Sequence, residues 1–283
     1  MTRIYTSDRG AAAVRERYRQ ILSRWPVPME QLRIDTRHGA TFVVASGPAG
    51  APPLVLLHGS GANAATWSAD IASWATRFRV YAVDLLGEAG GSDPVRLPLD
   101  SDDIASWLDD VLDGLHIDEA SFVGMSLGGW TALDYAVRRP SRVTRLSLLC
   151  PGGIGRQTMG WLPKVMLLKM FGTRGRRRTV SLVTGLDDAR HSSILDEVVL
   201  VFEHFRPRTE KLPIFSDDDL RGLPMPVQLI VGDRDAMMDS AETARRVSAL
   251  VPSSVVTVLP DTGHAILGQT AAVLEFSVST RKA

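Results

Sequence analysis

Ser126 has a glycine two residues to each side, in Gly124-Met125-Ser126-Leu127-Gly128. The apolar run Ser121–Val123 before it reads as a strand, and Gly129–Arg138 reads as a helix that ends ahead of Pro140. A strand-to-helix turn this tight crowds the backbone around the serine, and glycine removes the Cβ that would clash. Such a turn lifts the serine Oγ above the carboxyl ends of the strands, where open α/β sheets hold ligands. The helix that follows points its N-terminus at the same place and favours developing negative charge. The chemistry predicted is nucleophilic attack by Ser126.

A serine hydroxyl is a weak nucleophile at neutral pH. It needs a base, and the base needs an acid to orient it. Of the six histidines, two follow strand-like runs. His264 lies in Asp261-Thr262-Gly263-His264 after Val255–Leu259, and His58 opens His58-Gly59-Ser60-Gly61 after Leu54–Leu57. His38, His116, His191 and His204 lack that context and read as structural. The loop after Val227–Val231 offers Asp233, Asp235 and Asp239. Asp235 is the predicted acid, because Gly-x-x-Asp sets its carboxylate one turn past the strand end. Asp233 suits a turn cap and Asp239 a helix cap. A tetrahedral intermediate also needs donors for its oxyanion. The N–H groups of Leu127 and Ser60 are the candidates, with Gly59 and Gly61 letting the backbone approach a substrate.

These residues need a scaffold of alternating strands and helices, and the chain supplies one. Its 283 residues suffice for one large α/β domain or two small ones. Ala11–Trp25 is an amphipathic helix pattern, and Leu32–Asp35 with Thr41–Ala45 reads as a hairpin turning at His38-Gly39. Trp67, Ile71, Trp74 and Phe78 fall at helical spacing, as do Ile104, Trp107, Leu108, Val111, Leu112 and Leu115. Strand-like runs at Leu54–Leu57, Val80–Val83, Ser121–Val123, Val143–Leu149, Val227–Val231 and Val255–Leu259 alternate with helix patterns, which argues for a parallel sheet covered on both faces. Residues 151–221 break the alternation with helical segments at Trp161–Phe171 and Ile194–Phe205 around the basic run Arg174–Arg178, and no strand. The expected division is therefore a core of residues 1–150 and 222–283, with 151–221 inserted.

Composition narrows the function classes. Lys plus Arg and Asp plus Glu both total 32, so no overall field draws the chain to nucleic acid or an anionic membrane. No stretch approaches the ~20 apolar residues that span a bilayer. Met1–Asp8 shows no apolar run of a signal peptide, and Cys150, the one cysteine, permits no intrachain disulfide. The expectation is a cytoplasmic protein. The histidines lack paired metal-ligand spacing and no phosphate-binding motif occurs, so no metal or cofactor is expected.

Taken together, His58-Gly59, Asp84 in Val83-Asp84-Leu85-Leu86-Gly87, Ser126 within its glycines and Gly129, Asp235, and Gly263-His264 occur in an order that resembles the α/β-hydrolase superfamily. Trp25-Pro26-Val27-Pro28, Ala51-Pro52-Pro53 running into Leu54–Gly59, Tyr81–Asp84 and Met125–Gly129 are more narrowly similar to bacterial carboxylesterases of the naproxen-esterase kind. The resemblance implies an α/β-hydrolase fold: a mostly parallel central sheet flanked by helices, with a helical cap inserted after the sixth core strand. It implies a cofactor-free serine esterase acting through an acyl-enzyme, with catalytic residues Ser126, Asp235 and His264. The family's order of serine, acid and histidine leaves His58 a loop-shaping role. Two positions depart from the family pattern. The loop after Asp84 reads Leu86-Gly87-Glu88-Ala89-Gly90-Gly91-Ser92, without the proline common there, and Gln269 sits near where relatives carry an acid. Glu88 is expected as a solvated loop carboxylate.

The resemblance implies that this insert caps the site and sets the substrate. Trp161, Leu162, Val165, Met166, Leu167, Leu168, Met170 and Phe171 suit a helix that buries one face on the core, and methionines adapt to varied ligands. Arg174–Arg178 is expected as a solvated basic loop, although it could instead hold an anionic group or carrier. The expected partner is a small, largely apolar ester. A thioester, a lactone, a C–C bond or a biosynthetic tailoring substrate would use the same residues. A receptor that binds its ligand without turnover is the non-enzymatic alternative.

Overall fold

Leu54 and Leu56 face one side of a sheet, Val55 and Leu57 the other, and all four are fully buried. That is what a parallel strand covered on both faces requires. Burial of each such side chain contributes ~1.5–3 kcal/mol. The computed structural model describes residues 4–279. Residues 1–3 of the stretch Met1–Asp8 read above lie outside them.

The strands are β1 (Met29–Ile34), β2 (Thr41–Ser46), β3 (Pro53–Leu57), β4 (Arg79–Val83), β5 (Ala120–Met125), β6 (Val143–Leu149), β7 (Val227–Gly232) and β8 (Ser254–Leu259). They form one sheet in the order β1-β2-β4-β3-β5-β6-β7-β8. β1 and β2 are the expected antiparallel hairpin, with Ile34 opposite Thr41, and β2 also runs antiparallel to β4. Every other pairing is parallel.

The helices are α1 (Asp8–Leu22), α2 (Ile71–Trp74), α3 (Asp103–Gly114), α4 (Leu127–Arg138), α5 (Leu162–Leu168), α6 (Gly172–Thr184), α7 (Ser192–His204), α8 (Asp217–Arg221), α9 (Ser240–Leu250) and α10 (Thr270–Val278). Trp107 and Leu108 of α3, Leu133 of α4 and Val247 of α9 pack on one face of the sheet with Val55 and Leu57. Tyr18 and Leu22 of α1, Trp74 of α2 and Val273 of α10 pack on the other with Leu54 and Leu56. Ser7 caps α1, its Oγ accepting from the Gly10 N–H at 3.0 Å. Among the described residues no helix is long and apolar enough to cross a membrane.

Three expectations change. The stripe from Trp67 to Phe78 is not one helix but a 3₁₀ turn (Ala64–Trp67) followed by the single turn of α2. All four stripe residues are buried all the same, and the two tryptophan rings pack 5.8 Å apart, because the spacing records a shared face rather than a continuous rod. The run Arg174–Arg178 is helical, inside α6. Two of its four charges are paired: Arg176 with Glu203 at 2.8 Å, and Arg177 with Asp188 at 2.6 Å and with Asp196. In α5 only Val165 is buried, while Met166, Leu167 and, in the 3₁₀ turn that follows, Met170 and Phe171 face outward. The short helix α8, unread in the sequence, starts at a capping box in which Ser216 and Asp219 satisfy each other's amides.

Candidate active site

The chain turns from β5 into α4 at Ser126, which sits at φ 52°, ψ −111°. A non-glycine residue there carries strain of ~1–3 kcal/mol that its surroundings must offset. The Ser126 N–H donates to the Leu149 carbonyl at 2.9 Å, and its own carbonyl accepts from Trp130 at 2.9 Å and Gly152 at 3.3 Å. The flanking glycines are sterically required. A Cβ on Gly124 would lie 2.4 Å from the Gly128 carbonyl oxygen, and one on Gly128 would lie 2.1 Å from that of Leu57.

Three strand-end loops meet over this turn. His264 Nε2 lies 2.8 Å from Ser126 Oγ, and His264 Nδ1 lies 2.7 Å from Asp235 Oδ2. With Nδ1–H donating to the carboxylate, Nε2 is free to accept from the serine hydroxyl. The Asp235 side chain is fully buried, and its other oxygen accepts from the amides of Met237 at 2.7 Å and Met238 at 3.0 Å. Those bonds fix the carboxylate's orientation toward His264. Asp233 instead accepts from the Thr262 amide at 3.2 Å, and Asp239 caps α9 through the Glu242 amide at 2.9 Å. Burial works against an imidazolium at His264, but the neighbouring Cys150 sulfur and the Asp235 carboxylate favour it, and the balance lies above the ordinary imidazole value.

The sequence reading assigned Cys150 no place here. It is buried at the end of β6 with φ 40°, within reach of the His264 ring. Its position directly after a core strand was the available signal.

The loop after β3 passes beside Ser126. A Cβ on Gly59 would lie 3.5 Å from that of Ser126. Among the described residues, neither the Ser60 nor the Leu127 amide donates to a protein acceptor, so both are free for a ligand oxygen. His58 is buried beneath this loop and shapes it. Its Nδ1–H donates to the Gly59 carbonyl at 2.8 Å, and its Nε2 accepts from the Leu85 amide at 3.0 Å. Burial lowers its pKa to about 4, so it stays neutral. Asp84, also buried, accepts from the Ala64 amide at 2.7 Å, the Gly91 amide at 2.6 Å and the Tyr18 hydroxyl at 3.1 Å. Glu88, expected in solvent, is only 1% exposed and accepts from the Gly61 amide at 2.6 Å. It packs against the loop after β3, which loop composition alone does not reveal.

The helices between β6 and β7 touch the site twice. The Thr184 carbonyl, at the end of α6, accepts from the Ala265 amide at 2.8 Å, next to His264. Gly185 and Gly263 pack backbone to backbone there, and a Cβ on either would lie 2.6 Å from the other's Cα. From α7, the Phe202 ring covers the loop after β3, 3.2 Å from where a Gly61 Cβ would stand.

A serine on a strained turn, a histidine on its hydroxyl, a carboxylate on that histidine and two free amides beside it define a site suited to acyl transfer. The chain belongs to the α/β-hydrolase family, whose pattern residues 54–276 match. It is similar to the carboxylesterase YbfK of Bacillus subtilis, 32% identical over 256 residues that span 87% of this chain and 86% of that protein. The crystal structure of that esterase superposes with a TM-score of 0.83 at 30% identity, covering 95% of this chain and 98% of that one. The naproxen esterase of Bacillus subtilis, also 30% identical, superposes with a TM-score of 0.78 over 96% of this chain and 94% of that one.

Proposed function

We propose that the protein is a carboxylesterase that cleaves small, largely apolar esters through an acyl-enzyme. The observation that carries this reading is the unbroken relay from Ser126 Oγ through His264 to Asp235, at 2.8 and 2.7 Å. In the proposed reaction Ser126 Oγ attacks the ester carbonyl carbon while His264 Nε2 takes the hydroxyl proton. The carbonyl oxygen becomes an oxyanion held by the Ser60 and Leu127 amides. The C–O bond to the alcohol breaks as His264 passes its proton to the leaving oxygen. Water, deprotonated by the same imidazole, then attacks the Ser126 ester; the acyl–Oγ bond breaks as the imidazolium returns that proton to Oγ, and the acid is released. Asp235 keeps the imidazole in the tautomer that can accept at Nε2.

Residues 151–221 act as a cap in this proposal, and residues 1–150 with 222–283 as the catalytic core. The contacts of Phe202 and Thr184 with the site support that division. An apolar acyl group suits the Phe202 ring beside the loop. The buried, single Cys150 suits a reducing compartment, and the cytoplasm is the compartment proposed.

The test is Ser126→Ala, assayed on p-nitrophenyl esters of increasing chain length and on an arylpropionate ester. Turnover should drop by ~10⁶, as when a triad loses its nucleophile. A fluorophosphonate should label the native protein and spare the variant. Retained turnover in Ser126→Ala would sink the assignment.

A further inference from the structure

Glu88 reaches toward the site from the loop after β4. Its Oε2 accepts two hydrogen bonds, from the Gly61 amide at 2.6 Å and from the Ser60 hydroxyl at 3.2 Å. Its Oε1 is buried without a hydrogen-bond partner. Burying a carboxyl group with one oxygen unmet is costly, and a simple tie between two loops does not need it. Such a tie already exists two residues on, where the Asn63 amide group donates to the Ala89 carbonyl at 2.9 Å. The two bonds to Glu88 converge instead on Ser60 and Gly61, at the residue whose N–H is the proposed oxyanion donor. Gly61 sits at φ +69°, with Phe202 close on its outer side. The turn is thus held between an aromatic ring and a carboxyl group.

The charged groups around Glu88 come from separate elements. Arg96, on the same stretch after β4, and Arg208, beyond α7, favour its carboxylate, while Tyr5, before α1, and Asp84, after β4, share the neighbourhood. None of them donates to its Oε1.

We propose that Glu88 is a positioning residue for ester hydrolysis, fixing the Ser60–Gly61 turn so that the Ser60 N–H points at the oxyanion. This rests on the proposed roles of Ser126 and Ser60. Glu88 touches neither the substrate nor the reacting atoms. Its effect therefore falls where charge develops on the carbonyl oxygen, in kcat, rather than in the binding of the uncharged ester.

The test compares native protein with Glu88→Ala and Glu88→Gln on p-nitrophenyl butyrate. It adds inhibition by a trifluoromethyl ketone of matched chain, whose adduct with Ser126 carries an oxyanion. In Glu88→Ala, kcat should fall ~10- to 100-fold, somewhat less than when an oxyanion donor is removed outright. KM should stay within about twofold, because the lost interaction belongs to the transition state. The inhibition constant of the ketone should rise by the same factor as kcat falls. Glu88→Gln should recover most of the loss, since its amide oxygen can accept both hydrogen bonds.

Native kcat in Glu88→Ala, a loss confined to KM, an unchanged ketone constant, or a Gln variant as slow as the Ala variant would each overturn the proposal. If Glu88→Ala does not fold, Glu88→Asp takes its place. Its shorter side chain withdraws from Gly61 and should lower kcat and ketone affinity together, about tenfold, whereas native values there would overturn the proposal. A native protein that neither hydrolyses the ester nor binds the ketone would contradict the Ser126 reading itself. Full ketone sensitivity in every Glu88 variant would contradict only the role of Glu88.

Discussion

Two largely apolar runs meet opposite fates in this molecule. Leu54–Leu57 in β3 is wholly buried, while in and just after α5 Met166 is 70% exposed, Met170 80% and Phe171 63%. The difference lies in what the chain places beside them. β3 lies between β4 and β5, with helices covering both faces of the sheet. Among the described residues, α5 sends only Val165 inward. An apolar run thus reports a need for cover, and the topology decides whether the cover comes from the chain itself. In the sheet, the same residues that stabilise the fold also hold the strand-end loops in place. In the proposed cap, side chains can change without loosening the core.

The contrast can be tested by substitution in the two regions. The largest effect is expected at the strand ends. Asp235→Asn removes the acceptor for His264 Nδ1–H, and kcat should drop by ~10⁴, as when a triad histidine is held in the wrong tautomer. Its pH profile gives a second reading. The base must be neutral to act, so kcat/KM rises with pH through the imidazole's pKa, and that limb should lie above 6.5 in the native enzyme. Loss of the carboxylate should move the limb to lower pH.

Leu56→Ala, in the buried run, should cost ~2–5 kcal/mol of stability in urea unfolding. A cost near zero would mean that the sheet is not the rigid half of the comparison. Glu88 predicts a pH dependence in the same assay. Burial raises its pKa from 4.5 to about 7, against the opposing pull of its hydrogen bonds and of Arg96 and Arg208. Between those values the folded chain holds a proton that the unfolded chain has released. Stability from this group is therefore greatest below pH 4.5 and falls as pH rises towards 7. Glu88→Gln should remove that slope.

Effects in the proposed cap should be smaller and of another kind. Phe202→Ala should change the ratio of kcat/KM between long and short acyl chains by about tenfold, the scale of one methylene in an apolar pocket, with little effect on unfolding. Met170→Ser, at a largely exposed position, should shift stability by less than ~0.5 kcal/mol. A large loss there would show that something covers α5 in solution and would break the contrast.

The meeting of Ser126, Asp235 and His264, the proposed nucleophile, acid and base, was legible because each sits at a fixed offset from a core strand, and such strands announce themselves as short apolar runs. Gly124 and Gly128 were legible for a steric reason that the structure makes explicit, since a Cβ on either would meet backbone oxygen. Stripe residues such as Trp67 and Trp74 predicted burial correctly but not the break between Trp67 and Ile71. Spacing along a chain fixes which residues share a face. It does not fix whether the backbone between them stays helical.

Local spacing and composition thus determined the alternation of strands and helices, the strand-end placement of Ser126, Asp235 and His264, and the helical character of residues 194–204. Tertiary structure alone decided the rest. It buried Glu88 under the loop that carries Ser60, put the Cys150 sulfur beside His264, wound Arg174–Arg178 into α6, and left the apolar side of α5 in the open. Each of these depends on contacts between segments far apart in sequence. The free energy of burying or exposing a group depends on what folds over it, and no local pattern encodes that.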